Sequence, residues 1–319
     1  MKNNKIVIAG GTGFIGQALA SYFSNNNQVV ILTRNLVNAN NAYNQFEIVN
    51  NAQENIKLVE WDGKSVGDWR NEIDGSDLII NLAGKSVNCR YTKANKQIIF
   101  DSRVYATKAI GEAISLCKHP PTLWLNAASA TIYRHANDKP QDEFVGEIEN
   151  DFSVQVCKLW EKTFFEQTTP QTRKIALRTA ITLGNGGVMI PYLNLLKFGL
   201  GGRQGNGRQM YSWIHIDDVC AIVDFLYKHT NIDGVINVSS PNPITNNTFM
   251  KVLRQKTNTK IGLPAFEWML KIGATIIGTE TELILKSRWV LPTKLLSYGY
   301  VFKYPHLEAA VDEILRKRS

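Results

Sequence analysis

The residues with the clearest chemical meaning form a glycine-rich turn, Gly-Gly-Thr-Gly-Phe-Ile-Gly, at positions 10–16. An apolar run at 6–9 precedes this turn, and a run with helical apolar spacing follows it. In a strand–turn–helix unit, glycines allow a sharp turn, close approach of a pyrophosphate and tight packing of helix on strand. The free N–H groups at the helix start also favour an anion. The residues predicted to bind the pyrophosphate are Gly10, Thr12, Gly13, Phe14 and Ile15. The alternative is a glycine-rich turn without a ligand.

The end of the second apolar run indicates which dinucleotide fits. An acidic residue there would favour NAD by accepting hydrogen bonds from the ribose hydroxyls, but this run ends in Thr33 and Arg34. A guanidinium and a hydroxyl suit a 2′-phosphate, which a carboxylate would repel. The sequence therefore favours NADP(H) over NAD(H). The alternative is that Arg34 is only a solvated charge.

Apolar runs alternate with helical patterns along the first three quarters of the chain, which predicts an α/β fold. We expect a Rossmann-type doubly wound parallel sheet with right-handed crossovers. The predicted strands are 5–9, 28–33, 56–61, 77–82, 122–126, 174–178 and 234–238. The clearest helices are 93–116 and 152–166. The Asn-rich segment 35–55 is predicted to be a surface loop.

Ligands of such sheets lie beyond the carboxyl ends of the strands, so the residues that follow each strand are candidates for the cleft. After the fourth strand these are Leu82, Ala83 and Gly84, and after the fifth strand Ser129. Asp62 follows the third strand and could accept a hydrogen bond from the adenine amino group. Asp62 could equally be a turn residue.

The regular alternation ends after residue 183. We predict a turn at 184–187, a short helix at 190–198, and a glycine-rich loop at 199–207 that either binds substrate or only connects. Asp217 or Asp218 is a plausible N-cap for the next helix. The predicted division is a dinucleotide-binding domain at 1–240, with a substrate-loop insertion at about 184–212, and a smaller, mainly helical C-terminal substrate lobe at 241–319.

Composition narrows the class of protein. The chain has 319 residues and a net charge of +8, but no basic block interleaved with aromatic residues, so we expect no nucleic-acid partner. No apolar run approaches the ~20 residues of a membrane span, and the first strand leaves no room for a signal peptide. The four cysteines are scattered, without metal-type spacing or a disulfide pattern, which favours a reducing cytoplasm.

Several motifs together resemble a known family. They are the turn at 10–16, Asn-Leu-Ala-Gly at 81–84, Ser102-Arg103 with Thr107, Ser-Trp-Ile-His-Ile-Asp-Asp at 212–218, and the segments 288–292 and 299–305. The chain resembles the extended short-chain dehydrogenase/reductase fold, and within it the atypical epimerase-family branch that is described as nucleoside-diphosphate-sugar epimerase-like. The resemblance implies a small family-specific C-terminal domain. It also implies NADP(H) held by Thr33-Arg34, by Leu82-Ala83 and by Arg103 on the long helix.

The wider superfamily carries Tyr-x-x-x-Lys on the helix after the fifth strand, with Ser or Thr at the end of that strand. The tyrosine transfers a proton, and the lysine lowers its pKa. Here Ser129 fits the serine position, whereas our alignment places Ser153 and Cys157 at the tyrosine and lysine positions. Neither can do that chemistry.

Other residues could replace the missing pair, although each also has a structural interpretation. Tyr133, four residues after Ser129, could face the nicotinamide, and we take Ser129 and Tyr133 as the catalytic candidates. Lys85, Arg90, Tyr91 and Lys158 are further substitutes for which a structural role is favoured. His215 beside Asp217 suggests acid–base chemistry, but a packed histidine at a helix start is the simpler interpretation. No metal set is evident.

Three functions remain open from sequence. The leading one is an NADP(H)-dependent oxidoreductase that acts on a small carbonyl or alcohol. The second is a non-catalytic NADP(H) sensor, in which binding of the coenzyme changes the interaction with a partner. The third is a sugar-nucleotide epimerase. In each case we expect a small-molecule ligand, no membrane partner, and a monomer or homodimer.

Overall fold

The computed structural model describes residues 1–44 and 52–318, and a seven-stranded parallel sheet is its centre. The strands lie in the order β3-β2-β1-β4-β5-β6-β10, so the order reverses at β1 and β4. Such a reversal creates the crevice where ligands of open α/β sheets bind. The strands of the sheet are β1 (Lys5–Ala9), β2 (Gln28–Thr33), β3 (Ile56–Glu60), β4 (Leu78–Asn81), β5 (Leu123–Ser129), β6 (Arg173–Thr179) and β10 (Gly234–Val238).

Helices cover both faces of the sheet. On one face, Leu19 and Phe23 of the first helix and Ile222 of the sixth pack on Ile6 and Ile8. On the other face, the third and fourth helices pack on the alternate residues of β1 and β4. The helices are α1 (Phe14–Ser24), α2 (Leu36–Asn44), α3 (Lys93–Ser115), α4 (Phe152–Phe165), α5 (Met189–Lys197) and α6 (Ile216–Lys228). The predicted doubly wound architecture is confirmed.

Beyond β10 the chain is mainly helical, as predicted. Its helices are α7 (Asn246–Lys256), α8 (Glu267–Ile277), α9 (Glu282–Leu285), α10 (Thr293–Ser297) and α11 (Leu307–Arg316). One small ladder joins this part to the insertion, because β11 (Ile244–Thr245) pairs with β8 (Met210–Tyr211). A second small ladder lies before β10, where β7 (Ile181–Leu183) pairs with β9 (Trp213–His215). The exact division at residue 240 stays a prediction.

The prediction of a surface loop over 35–55 is wrong for residues 36–44, which form α2. The Asn35 side chain accepts a hydrogen bond from the N–H of Asn38 at 2.9 Å and so begins the helix. Ala39 and Tyr43, four residues apart, are buried on one face, and the Tyr43 hydroxyl donates to the Gly11 carbonyl at 2.8 Å. Residues 45–51 of the predicted loop lie outside the described residues.

The N-cap of α6 is His215, so the prediction of Asp217 or Asp218 is wrong. The His215 Nδ1 accepts a hydrogen bond from the N–H of Asp217 at 3.1 Å, and the ring packs on Tyr304. Asp218 is instead buried, and its carboxylate accepts hydrogen bonds from the N–H groups of Lys303 and Tyr304. The packed-histidine interpretation is therefore supported. Burial lowers the pKa of His215 to about 4, against the opposing charge of Asp217.

This lowered pKa predicts a loss of stability in acid. The His215 side chain takes up a proton near pH 6.5 in the unfolded state but only near pH 4 in the folded state. The stabilisation that comes from keeping His215 neutral is therefore fully present above pH 6.5, and it is lost as the pH falls toward 4. We expect the free energy of unfolding to fall by about 3 kcal/mol more between pH 7 and pH 4 in the wild type than in His215→Asn. Asparagine keeps a capping acceptor but does not titrate. Denaturant titrations of both proteins across this range test the prediction, and parallel pH curves would contradict it.

Within residues 1–44 and 52–318, no helix has the length and apolar character needed to cross a membrane.

Candidate functional site

Three glycines of the turn at 10–16 have different surroundings. Gly10 has φ +75°, and a Cβ there would lie 2.9 Å from the backbone N of Ala83, so the turn contacts the end of β4 directly. A Cβ at Gly16 would lie 2.5 Å from the Cα of Gly11, which shows how closely α1 packs on the turn. Gly13 is exposed, and a Cβ there would have no neighbour closer than 3.8 Å. The turn is therefore closed against the protein at Gly10 and Gly16 and open to solvent at Gly13.

The opening at Gly13 coincides with the start of α1. Gly13 is the N-cap and contributes no side-chain hydrogen bond. Since the first four N–H groups of a helix have no partner within the helix, those of Phe14 and Ile15 are available to an anion. The Phe14 ring points elsewhere: a Cβ at Gly184 would lie 2.7 Å from the ring, and Gly186 and Gly187 also pack on it. Phe14 can therefore offer its backbone, rather than its ring, to a pyrophosphate.

At the end of β2, Thr33 is buried and Arg34 is exposed. The Thr33 hydroxyl accepts a weak hydrogen bond from the N–H of Asn35 at 3.3 Å, at the point where α2 begins. The Arg34 side chain passes beside Gly63, where an added Cβ would lie 3.7 Å from the Arg34 Cδ. An exposed guanidinium beside the start of a helix is a suitable place for a phosphate.

Asp62 occupies the turn after β3. Its carboxylate accepts hydrogen bonds from the N–H groups of Lys64 and Ser65 at 2.8 and 2.9 Å, and from the Ser65 hydroxyl. The Ser65 hydrogen bonds lower the pKa of Asp62. These contacts support the turn-residue alternative, and adenine recognition by Asp62 stays a prediction.

A buried amide orients the end of β4. The Asn81 side chain accepts a hydrogen bond from the N–H of Ala83 at 3.0 Å and donates to Asn126 at 2.7 Å and Thr107 at 3.2 Å. Because these bonds join β4 to β5 and to α3, the Leu82-Ala83 backbone is held against the glycine turn. This placement is compatible with the predicted coenzyme contact.

Arg103 extends from α3 toward the same edge. A Cβ at Gly84 would lie 3.2 Å from the Arg103 Cζ, and the Arg103 Nη1 donates to the carbonyls of Lys85 and Ile99 at 3.0 Å each. The guanidinium lies over the Trp160 ring, 4.8 Å from its centroid. The buried Nε has no hydrogen-bond partner among the described residues. Burial lowers the pKa of Arg103. An incompletely paired guanidinium at this edge fits an anionic or polar ligand.

The two catalytic candidates lie in different surroundings. Ser129 ends β5 at the carboxyl edge, is half-buried, and accepts a hydrogen bond from the N–H of Thr131 at 3.2 Å. Tyr133 is buried, and its hydroxyl donates to Asn237 at 3.0 Å and accepts from Arg178 at 2.8 Å. The structure thus leaves Ser129 at the cleft and supports the structural interpretation of Tyr133.

Comparisons with known proteins place this geometry in a family. Residues 6–158 match the NAD dependent epimerase/dehydratase family, and residues 265–314 match a domain of unknown function, DUF1731. The epimerase family protein SSP1921 of Staphylococcus saprophyticus is 31% identical over 97% of this chain and 98% of its own length. The chain belongs to the epimerase family. The epimerase family protein YfhF of Bacillus subtilis is 30% identical over 98% of each chain.

Solved structures of epimerase family members share the fold. The crystal structure of human epimerase family protein SDR39U1 (isoform 2) with NADPH superimposes with a TM-score of 0.82, at 24% identity, over 98% of this chain and 99% of that one. The UDP-N-acetylglucosamine 4-epimerase of Methanobrevibacter ruminantium M1 gives a TM-score of 0.73 at 17% identity, over 99% of this chain and 98% of that one. At these identities the likeness concerns the architecture.

In this epimerase family chain, no Tyr-x-x-x-Lys lies between Tyr133 and Lys174. Ser153 and Cys157, which our alignment puts at those positions, are both buried on α4. Burial raises the pKa of Cys157 to about 12, so the thiol is neutral and cannot replace a lysine charge. The neighbouring Lys158 is exposed and points away from this side of the helix.

One residue near this region was not assigned a role from sequence. Arg288 is buried, and its Nε donates to the Thr131 Oγ1 at 3.1 Å, two residues after Ser129. Burial lowers the pKa of Arg288, against the opposing charge of Glu282. The sequence does show that Arg288 is a charged residue at the start of the otherwise apolar segment 288–292. Spacing along the chain, however, does not predict that Arg288 lies beside the end of β5.

Proposed function

We propose that this protein is an NADP(H)-dependent oxidoreductase that acts on a small carbonyl or alcohol substrate. The observation that carries the proposal is the glycine turn, which opens at the start of α1 toward the ends of β1 and β4, with an arginine in place of an acid after β2. That combination fits a pyrophosphate and a 2′-phosphate on one ligand. The NADPH in the human relative supports the same coenzyme here.

Along the carboxyl ends of the strands, the residues that could bind NADP(H) follow one another in the order of the parts of the coenzyme. The backbone at Thr12, Gly13, Phe14 and Ile15 would bind the pyrophosphate, Thr33 and Arg34 the 2′-phosphate, and Leu82, Ala83 and Gly84 with Arg103 the part nearer the nicotinamide. When bound, NADPH supplies a hydride. Ser129 would donate a hydrogen bond to the reacting oxygen of the substrate. We place the substrate between this edge, the loop at 199–207 and the C-terminal lobe.

The preference for the 2′-phosphate can be tested at Arg34. In Arg34→Ala we expect NADPH affinity to fall by about 10- to 150-fold, because one charge-assisted contact of about 1.5–3 kcal/mol is lost. NADH affinity should change little. Calorimetry with both coenzymes measures this, and Arg70→Ala, in the short helix after β3, is a control for the general loss of positive charge. Equal losses for the two coenzymes would contradict the assignment.

The activity itself can be tested with NADPH absorbance and a panel of aldehydes and ketones. We expect Ser129→Ala to lower kcat about three- to tenfold through the loss of one neutral hydrogen bond. Ser115→Ala, at an exposed position on α3, should behave as the wild type. Tight NADPH binding without turnover of any carbonyl would favour the sensor function, for which the missing Tyr–Lys pair is the supporting observation.

The location and assembly of the protein remain part of the proposal. All four cysteines are free thiols, which supports the expectation of a reducing, cytoplasmic environment. A homodimer and a monomer are both compatible with the structure, and light scattering distinguishes them.

A further inference from the structure

Two segments that lie far apart in the sequence expose a group of large apolar side chains. Residues 198–200 and 261–272 contain eight such side chains, each at least 36% exposed, with Phe198 at 79%, Trp268 at 63% and Ile261 at 61%. Single exposed apolar residues are common, whereas a contiguous group marks a site of interaction. We refer to the group as the apolar surface, and its members are Phe198, Leu200, Ile261, Leu263, Phe266, Trp268, Met269 and Ile272.

Backbone hydrogen bonds hold the two segments side by side. The N–H of Leu263 donates to the Gly199 carbonyl at 2.9 Å, and the N–H of Gly202 donates to the Leu263 carbonyl at 3.0 Å. A Cβ at Gly199 would lie 3.3 Å from the Cγ2 of Ile261, so the side chains beside this glycine are close to those of the second segment. The exposed residues of both segments therefore form one surface.

The helix α8 contributes the part of this surface that the rest of the protein covers least. Seven of its eleven residues are apolar, yet Ala274 is the only buried residue among those whose side chains the structure describes. A helix with this composition is usually covered by a protein core or by another apolar phase. The composition of α8 therefore predicts a partner that covers Trp268, Met269 and Ile272.

The charge of the same two parts of the chain is strongly positive. Residues 189–209 and 246–278 contain eight Lys or Arg residues and one acidic residue, Glu267, so they carry +7 of the net charge of +8. Lysine and arginine side chains near an anionic surface each add to the attraction. Three exposed cations lie within three residues of the apolar surface in sequence and form no ion pair with another described residue: Lys197, Arg203 and Lys260.

The combination of apolar area and positive charge favours one class of partner. A nucleic acid would pair with the cations and stack on aromatic rings, but it offers nothing to the exposed Ile, Leu and Met side chains. A second copy of the chain would bring two strongly positive surfaces together, and like charges oppose such a contact. A bilayer that contains anionic lipids offers headgroups to the cations and acyl chains to the apolar side chains.

We propose that the apolar surface and its flanking cations bind the surface of an anionic membrane. The exposed side chains of α8 and of the two loops enter the boundary between headgroups and acyl chains, while Lys197, Arg203 and Lys260 contact the headgroups. A surface of this kind lies on the bilayer without crossing it. The inference replaces our expectation of no membrane partner, which depended on the lack of an apolar run long enough to span. It is independent of the proposed oxidoreductase function.

The first test is sedimentation of the full chain with lipid vesicles. We expect binding to vesicles of phosphatidylcholine with phosphatidylserine, weaker binding to phosphatidylcholine alone, and loss of affinity as salt is added, since salt screens the attraction between exposed charges. No binding to either kind of vesicle, or equal binding to both, would overturn the proposal.

The apolar contribution can be tested at Ile272. Since Ile272 is 53% exposed, we expect Ile272→Ser to lower the affinity for phosphatidylserine vesicles by about 4- to 15-fold, the effect of leaving half of one such side chain in water. Val301→Ser is the matched control, because Val301 is 86% exposed but lies outside the apolar surface. It should bind as the wild type does. Ile272→Ser that binds as tightly as Val301→Ser would contradict the assignment of this surface.

The contribution of charge can be tested with a triple variant, Lys197→Gln/Arg203→Gln/Lys260→Gln. We expect its affinity for the same vesicles to fall by about 100-fold, because each cation near an anionic surface contributes about fivefold. The control removes three exposed lysines of α3, α4 and the segment that follows α3, namely Lys108, Lys118 and Lys158. Equal losses in both triple variants would show that only the net charge matters and would overturn the proposed contact.

A third test uses fluorescence to locate the contact. Of the seven tryptophans, Trp268 is the exposed one. We expect vesicles with phosphatidylserine to shift the emission to shorter wavelength, and Trp268→Phe to abolish the shift. Sedimentation with vesicles without this shift would place the contact elsewhere and overturn the inference. A shift that needs no lipid and grows with protein concentration, together with a dimer in sedimentation velocity, would overturn it in favour of a second copy.

Discussion

Replacing Arg178 by methionine should lower the free energy of unfolding by about 3–5 kcal/mol, because it leaves the Glu161 carboxylate buried without its partner. The Arg178 Nε and Nη2 each donate to a Glu161 oxygen at 2.8 Å, and both side chains are about nine-tenths buried. Arg178 Nη1 also donates to the Tyr133 hydroxyl. Burial alone would lower the pKa of Arg178, but the hydrogen bonds and charge of Glu161 raise it overall, so the pair is ionic.

Denaturant titration measures this change, and the double variant Arg178→Met/Glu161→Leu is the informative control. Removing both charges removes the uncompensated carboxylate, so the double variant should recover most of the lost stability. Lys162→Met, which removes an exposed charge on the same helix, should change stability by less than about 0.5 kcal/mol. A single Arg178 variant as stable as wild type would contradict the prediction.

Gly10 and Gly13, two of the glycines of the turn at 10–16, should respond differently to alanine. Gly10→Ala should destabilise the protein by about 2–5 kcal/mol, because alanine at positive φ costs about 1–2 kcal/mol and the added carbon overpacks the Ala83 backbone. Gly13→Ala should leave folding nearly intact, because its Cβ would come no closer than 3.8 Å to a neighbour, an ordinary van der Waals contact. Its methyl group would instead stand where the pyrophosphate approaches, and NADPH affinity should fall by about 10- to 150-fold with the loss of one charge-assisted contact.

Thermal melting and calorimetry with NADPH separate these two effects. Gly75→Ala is a useful control for Gly10→Ala: it too has positive φ, but nothing lies within 4 Å of the added carbon. It should show the cost of the backbone conformation alone. If Gly13→Ala binds NADPH as tightly as wild type, the pyrophosphate does not lie at this turn.

The family resemblance and the parallel sheet were readable from sequence because both are local patterns. All seven predicted strands have their observed counterparts within three residues at each end, and 5–9, 28–33 and 234–238 match β1, β2 and β10 at both ends. Short runs of Ile, Val and Leu, bounded by turns, are needed by any strand buried on both faces. The helix at 36–44 was missed because Asn-rich sequence has low helical propensity. Burial of Ala39 and Tyr43 against the rest of the protein overrides that propensity.

Side-chain direction was the property that local pattern did not encode. Tyr133 follows Ser129 by four residues, yet the short helix after β5 turns it inward to Asn237 and Arg178, which lie 104 and 45 residues further along the chain. The Tyr91 ring packs on Phe152 of α4, and its backbone N–H donates to Glu280, which lies 189 residues away in sequence. By itself the sequence determined the strand–turn–helix unit, the sheet and the absence of the usual Tyr–Lys pair, since these depend on neighbours along the chain. Only the tertiary structure decided that Tyr133 and Arg178 meet in the interior, because their hydrogen bond joins segments far apart in sequence.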